Sequence, residues 1–256
     1  MLAPSTHRST KNRILSSLPH EEFARLIPHL EEVKLEKDET IYITGDHIKY
    51  VYFPEGGLLS LVSITETGSL LEVAMIGNEG GVGLPVILRS PATPYDVTVQ
   101  FTTVAYRIKA KALQDEFDKK EGALQGFILR YLNFLILQIT QSSLCTRYHR
   151  LDEALSRWLL TVQDRVKLDI LDLTHEQIAD ALGVPRTAVT KAAGEMQRKG
   201  LIRYSRGRIV ILDREGLAAH SCECYRVIRH QLDEFLNVSC RCRDHISCVS
   251  FRHSRD

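Results

Sequence analysis

Residues 171–202 constrain this chain more than any other segment, because their pattern predicts two short helices joined by a tight turn. Thr174 stands at an N-cap position and Gln177 follows three residues later, which is the spacing of a capping box. Ala179 is small at the point where the two helices must approach closely. Gly183 supplies the backbone freedom that the turn requires. The segment therefore predicts a helix-turn-helix motif.

The second helix of this motif has one apolar face and one polar, basic face. Helical spacing predicts that the inner face consists of Val189, Ala192, Ala193 and Met196. It leaves on the outer face, close to the start of the helix, Arg186, Thr187, Thr190 and Lys191. A helix that presents such side chains fits the major groove of double-stranded DNA. We therefore expect these four outer residues to contact DNA.

A hairpin predicted after Gly200 extends the motif into a winged helix-turn-helix. Residues 201–204 and 209–212 predict two β-strands around a tip that carries Arg206 and Arg208. Residues 183–214 contain eight basic and two acidic side chains (+6), whereas residues 1–100 contain eight basic and thirteen acidic ones (−5). Such a local positive charge suits a phosphate backbone, and we expect Arg206 and Arg208 to contact phosphates. The alternative is a helical hairpin with a solvated basic face.

The chain upstream of the motif changes character at about residue 110. Residues 12–110 contain short β-like runs separated by glycine turns, which predicts a cupin-like β-roll or barrel. Residues 111–148 return to helical spacing and are interpreted as a dimerisation helix. Its apolar stripe contains Leu124, Ile128, Leu132, Leu135 and Ile139. The alternative is that this stripe packs on the chain's own barrel. With a DNA-binding domain over 149–215 and a C-terminal helix and Cys-rich tail over 216–256, the predicted fold class is α+β.

The overall composition is that of a globular protein. Hydrophobic residues make up 44% and charged residues 25% of the chain, and both fractions are ordinary for globular proteins. The length of 256 residues is enough for about two domains. No apolar run reaches the roughly 18 residues that a membrane span needs. The N-terminus lacks the apolar core of a signal peptide. We therefore expect a cytoplasmic protein with no membrane partner.

Five of the six cysteines lie near the C-terminus, as Cys222-Glu223-Cys224, Cys240-Arg241-Cys242 and Cys248. In the cytoplasm such residues are expected to be thiols. A Cys-x-Cys pair can bind zinc or act as a redox switch. Zinc modules, however, are typified by Cys-x2-Cys spacing. Our interpretation is a helix over residues 216–236 followed by a basic tail, with no metal site assigned. Metal or redox sensing is the alternative.

The order of β-barrel, long helix and winged helix-turn-helix resembles the Crp/Fnr family of bacterial transcription regulators over about residues 12–215. Two segments carry the resemblance most strongly, LTHEQIADALGVPRTAVTKAAGEMQRKGLIRYSRGRIVILD and LEKDETIYITGDHIKYVYFPEGGLLSLV. The resemblance implies a homodimer whose effector domain controls two recognition helices, with RNA polymerase as a further candidate partner. Arg186 matches the family's recognition-helix arginine, which can donate two hydrogen bonds to guanine. Lys191 matches a second basic position. Thr187 stands where many members have a glutamate, so the family's usual operator sequence is not transferred.

The resemblance weakens at the effector site. Cyclic-nucleotide binders of the family carry a Gly-Glu pair in a phosphate-binding turn, and an Arg-Ser or Arg-Thr pair about ten residues later. Here Val82 falls at the glutamate position, and Pro94 and Tyr95 fall at the Arg-Ser positions. A rearranged pocket would have to use Glu79, Gly80, Gly81, Arg89 and Ser90. We therefore assign no cofactor and expect no cyclic nucleotide, which leaves an unidentified effector or none.

Two further sensing or catalytic chemistries find little in the sequence. No cysteine precedes Cys145, which excludes the N-terminal iron–sulfur cluster of Fnr-like members. A metal-dependent cupin enzyme needs clustered His and carboxylate ligands. The β region offers only His47, with His20 and His29 upstream. We therefore expect no enzyme. An effector-independent DNA-binding repressor is a further alternative to a ligand-gated regulator.

Overall fold

The computed structural model describes residues 10–119 and 122–241, with side chains as far as residue 236. Two short helices and a 3-10 turn come first, and two antiparallel sheets in the strand orders β1-β7-β3 and β2-β6-β4-β5 follow. The helices are α1 (Arg13–Ser16) and α2 (His20–Leu26). The strands are β1 (Glu31–Leu35), β2 (Thr40–Tyr42), β3 (Tyr50–Pro54), β4 (Leu58–Ile64), β5 (Leu70–Ile76), β6 (Asp96–Phe101) and β7 (Thr103–Lys109). Their inward side chains share one apolar core, so the predicted β-roll is confirmed.

The remaining elements are helical except for a small three-stranded sheet in the order β8-β10-β9. The helices are α3 (Ala110–Phe117), α4 (Ala123–Tyr148), α5 (Leu151–Val166), α6 (His175–Leu182), α7 (Arg186–Arg198), α8 (Arg214–His220) and α9 (Cys224–Arg241). The strands are β8 (Ile170–Leu171), β9 (Ile202–Ser205) and β10 (Arg208–Ile211). The α6–α7 pair followed by the β9–β10 hairpin confirms the predicted winged helix-turn-helix.

The C-terminal segment differs from the single helix predicted over residues 216–236. The backbone becomes extended at Ser221, where α8 ends, and α9 starts three residues later. This break lets α9 run back along α4, where Phe235 stacks on Phe134 with ring centroids 6.3 Å apart. Cys242 and Cys248, and the side chain of Cys240, lie outside the described residues.

Helix α4 turns its apolar residues in two directions. Leu124, Ile128 and Leu135 are buried in the core that α4 shares with the β-roll, so they do not form the exposed dimer stripe expected from the sequence. Leu132 and Ile139 are half-buried. Leu129 and Ile136 are 48% and 64% exposed. Helix α4 is long and apolar enough to cross a membrane, but the core helix of a globular protein meets the same criteria of length and composition.

A buried ion pair joins the β-roll to α5. Arg165 of α5 donates from Nε to Oε1 of Glu79 across 2.9 Å, and both side chains are at most 5% exposed. The Gln138 side chain of α4 accepts from Arg165, accepts from the N–H of Met75 of β5 and donates to the Met75 carbonyl. The β-roll, α4 and α5 therefore meet in one polar network.

A second buried contact joins the same parts. Trp158 of α5 donates from Nε1 to Glu72 of β5 across 2.7 Å, and Ser60 of β4 donates to the other oxygen of that carboxylate. Burial raises the pKa of Glu72 in spite of these two hydrogen bonds. Leu58 and Met75 of the β-roll also belong to the apolar core of the C-terminal domain formed by α5 to α8 and the small sheet. The C-terminal domain is therefore packed against the β-roll, in addition to being connected to it through α4.

Replacing Arg165 with Ala should lower the free energy of unfolding by about 3–5 kcal/mol, because Glu79 would stay buried without its partner. Chemical denaturation of the full chain measures this. Arg89→Ala, which removes an exposed ion pair with Asp118, is the matched control and should cost no more than about 1 kcal/mol. Equal losses in the two variants would show that the buried pair has no special role.

Candidate nucleic-acid interface

The turn between α6 and α7 is built by the residues that the sequence singled out. Thr174 Oγ1 accepts from the backbone N–H of Gln177 at 3.2 Å, and Gln177 Oε1 accepts from the N–H of Thr174 at 3.0 Å, so the capping box is formed. Ala179 is 4% exposed in the contact between the helices. Gly183 ends α6 with φ at +64°, a conformation that favours glycine. These features fix the angle at which α7 leaves α6.

Helix α7 presents a bare polar face to solvent. Val189, Ala193 and Met196 are buried beneath it. The side chains of Arg186, Thr187 and Lys191 are exposed on the outer side. Arg186 lies 3.7 Å from Glu176, but its side chain is 68% exposed and the pair is therefore weak. The Arg186 guanidinium can exchange this carboxylate for a base edge at little cost.

Thr190 has a different position from the other three DNA contacts that were predicted on α7. Its hydroxyl donates to the Arg186 carbonyl at 3.1 Å and lies 3.0 Å from Nδ1 of His175. The His175 ring in turn stacks on Tyr204 of the wing, with centroids 3.8 Å apart. Thr190 thus helps to tie α6, α7 and β9 together, a role that the sequence did not suggest. Burial, and secondly the charge of Arg186, lower the pKa of His175, so the imidazole in this contact is neutral at pH 7.

The wing holds its two predicted arginines differently. Arg206 lies at the hairpin tip with φ at +46° and is exposed. Arg208 donates from Nε to Asp172 at 2.8 Å, which fastens the hairpin to the segment before α6. Arg214 does not belong to this surface, because it donates to Asp164 of α5 at 2.6 Å and anchors α8. The local charge of +6 therefore overstates the free positive charge.

The basic face is defined here as the exposed positive side chains of α7 and the following hairpin. It contains Arg186, Lys191, Arg198, Lys199, Arg203, Arg206 and Arg208. Arg198, Lys199 and Arg203 were not among the predicted contacts, although the charge count of the segment had included them. Three of these side chains also lie near carboxylates, Arg186 near Glu176, Arg198 near Glu195 and Arg208 near Asp172. A concentration of exposed positive side chains around one helix suits a phosphate backbone.

The predicted effector residues are not assembled into a pocket. Glu79 is used by Arg165, Arg89 pairs with Asp118 at 2.8 Å in solvent, and the Ser90 hydroxyl donates to the carbonyl of Ala92.

The glycine turn is filled by a side chain of α4. A Cβ on Gly80 would lie 2.0–2.2 Å from the Tyr131 ring, and one on Gly81 would lie 2.9 Å from the Tyr52 carbonyl. Tyr131 is fully buried, and burial raises the pKa of its hydroxyl well above the usual range. Val82 is buried as well and offers no carboxylate. A cyclic phosphate has no space at this turn, and the cation beside it, Arg165, is already paired with Glu79, so the residues present do not fit a cyclic nucleotide.

Two family models match the chain in the order of its two domains. Residues 32–120 match the cyclic nucleotide-binding domain, and residues 153–220 match the Crp-like helix-turn-helix domain. The first match concerns the β-roll and α3, and the second begins in α5 and ends with α8.

Curated relatives and solved structures agree with these matches. The global nitrogen regulator of a Nostoc species is 26% identical over 212 residues, which are 79% of this chain and 94% of that protein. The transcriptional regulator LdrP of Thermus thermophilus is 24% identical over 177 residues, or 69% of this chain and 90% of that one. The structure of FixK2 from Bradyrhizobium japonicum covers 75% of this chain and 98% of its own, with a TM-score of 0.66 at 18% identity. That last likeness shows the fold.

The stability of the chain should fall as the pH drops below about 6.5, where an unfolded histidine takes up a proton that the folded His175 resists. In His175→Gln this loss should be smaller. Denaturant titrations at about pH 7.5 and about pH 5.5 measure it. His29→Gln removes an exposed imidazole and serves as the matched control. A pH dependence that is the same in wild type and His175→Gln would contradict the buried, neutral imidazole.

Proposed function

Because the chain belongs to the Crp/Fnr family of sequence-specific DNA-binding transcription regulators, we propose that it acts as a homodimer on a palindromic DNA site. The observation that supports this most is the exposed outer face of α7, with Arg186, Thr187 and Lys191 above a fully packed inner face. In a two-fold dimer two such helices enter successive major grooves about one helical turn apart.

In this proposal Arg186 reads a base. Its guanidinium can donate to O6 and N7 of a guanine, the commonest specific contact of an arginine in the major groove. Lys191 and Thr187 follow on the same face of α7. A threonine hydroxyl discriminates less than a glutamate at this position, so the operator differs from one read by Arg and Glu together. Arg206 and Arg208 contact phosphates and set the register on the duplex.

The proposed dimer seam lies on the outer side of α4. Leu129, Leu132, Ile136 and Ile139 follow the 3-and-4 spacing of a heptad. Leu129 and Ile136 are exposed, whereas Leu132 and Ile139 are half-buried and also pack against the core that buries Leu124 and Ile128. Two helices that pair along this stripe would bury the apolar side chains that one chain leaves in solvent. Leu132 and Ile139 thus stay in the seam predicted from the sequence, and the other three predicted positions are replaced.

Gating by a cyclic nucleotide has no support in the filled glycine turn, and an unidentified effector or none remains proposed. The cupin-type enzyme gains no support either. The one convergent group of three or more His, Cys, Asp and Glu ligands found among the described residues lies at the end of α4, outside the β-roll. A regulator of this kind would work in the cytoplasm, with RNA polymerase as a further proposed partner.

Selection of bound sequences from random DNA tests the proposed function, and it should return a palindrome whose recovery does not change with cyclic AMP or cyclic GMP. Arg186→Ala should weaken binding to that site by about 1–3 kcal/mol and relax the preference at one base pair in each half-site. Arg206→Ala is the control, because loss of a phosphate contact weakens all sequences alike and lowers the salt slope by about 1. Recovery of sequences without a common motif would contradict site-specific recognition.

Replacing Ile136 with Asp should convert the dimer to a monomer, since it places two charges in the proposed seam. Sedimentation equilibrium measures the molecular mass directly. Leu88→Asp is the matched control, because Leu88 is exposed to the same degree (63% against 64%) but lies outside α4. A dimer that survives Ile136→Asp would place the interface elsewhere.

A further inference from the structure

Four metal-binding side chains converge where α4, α5 and the α8–α9 break meet. Cys145 lies in the last turn of α4 and His149 caps that helix. Cys222 and Cys224 flank Glu223 at the break between α8 and α9. The ligand atoms of all four lie within 4.8 Å of one another. None of these groups takes part in the proposed DNA contacts or in the dimer seam.

The spacing of these atoms is that of a tetrahedral metal site. Cys145 Sγ lies 3.6 Å from Cys222 Sγ, and Cys224 Sγ lies 3.6 Å from Nδ1 of His149. Zinc bonds of about 2.3 Å to sulfur and about 2.0 Å to nitrogen place two sulfurs about 3.8 Å apart, and sulfur and nitrogen about 3.5 Å apart. These two pairs already have the separation that a tetrahedral site requires, and no two of the four ligand atoms are more than 4.8 Å apart.

We propose that Cys145, His149, Cys222 and Cys224 bind one Zn²⁺ in a closed Cys3His site. Three thiolates and one imidazole are the soft donor set that selects this ion and its tetrahedral geometry. On binding, three S–H groups release their protons to solvent and three S–Zn bonds and one N–Zn bond form. No oxidant or reductant takes part.

The surroundings of the cluster are those of a metal site. Nε2 of His149, which faces away from the sulfurs, lies 3.1 Å from Oε1 of Glu223. A carboxylate on the second ring nitrogen holds a ligating histidine in the required orientation. Arg157, which is 7% exposed, lies within electrostatic reach of the Cys145 and Cys222 sulfurs. Its charge balances the net charge of −1 that Zn²⁺ and three thiolates carry together.

A disulfide between Cys145 and Cys222 accounts for fewer of these observations. It would use two of the three buried thiols. It would not explain why His149 lies close to Cys224, or why Glu223 lies close to His149. All three cysteines are at most 5% exposed. A metal uses all four groups and both supporting side chains.

The site would fasten three elements to one point. His149 is the C-cap of α4 and is followed by Arg150, the N-cap of α5. Cys224 begins α9, the helix that packs along α4, and Cys222 lies two residues before it. Bound zinc would therefore hold α9 on α4 and fix the junction from which the DNA-binding domain extends.

Titration of the reduced, metal-free full chain with Zn²⁺ and with Co²⁺ tests the proposal. We expect about one ion per chain, with the visible absorption of thiolate-bound tetrahedral Co²⁺ and a higher melting temperature in the metal-loaded protein. Cys224→Ser should abolish stoichiometric binding. Glu223→Ala changes an exposed side chain and should weaken Zn²⁺ affinity by roughly 10–100-fold, which keeps the test decisive if Cys224→Ser does not fold.

The matched control replaces Cys240, Cys242 and Cys248 together with Ser and should bind the metal as the wild type does. Loss of the ion in this variant, or unchanged binding in Cys224→Ser and Glu223→Ala, would overturn the proposal. A reduced wild-type chain that binds no Zn²⁺, or a Cys145–Cys222 disulfide as the only change at the site, would overturn it as well.

Discussion

The ion pair between Arg165 and Glu79 is the interaction on which the arrangement of the two domains depends. Both side chains are almost fully buried, and their 2.9 Å contact joins the β-roll directly to α5. A buried charge is tolerated only when its partner stays in place. The DNA-binding domain cannot leave the β-roll without exposing or unpairing these charges, and Gln138 extends the same restraint to α4.

This restraint uses the part of the β-roll that a ligand would otherwise occupy. Glu79 is turned toward Arg165, and the Tyr131 ring of α4 fills the space above Gly80. Contacts within the chain thus replace the charge and the volume that a bound phosphate would supply in a cyclic-nucleotide-binding domain. The β-roll keeps its fold in this protein while its turn serves as a docking surface for α4 and α5.

The helix-turn-helix was predictable because its signals are local. Thr174 and Gln177 cap α6 within one helical turn, and Gly183 adopts the positive φ that ends this helix. The spacing of Val189, Ala193 and Met196 decides which face of α7 is buried. Thr190 shows where this reasoning ends. Its exposure was predictable, but its contact with His175 depends on how α6, α7 and the wing pack.

The sequence by itself determined the fold class, the winged helix-turn-helix and the sign of its charge, because periodicity, caps and turn residues act over a few positions. Only the tertiary structure decided which side of α4 is free, where Glu79 finds its partner, and that Cys145 and His149 meet Cys222 and Cys224. Cys145 and Cys222 are 77 positions apart in the sequence, and Glu79 and Arg165 are 86 positions apart. Helix α4 is apolar on more than one face, so its periodicity does not identify the buried face, and only packing against the β-roll determines it.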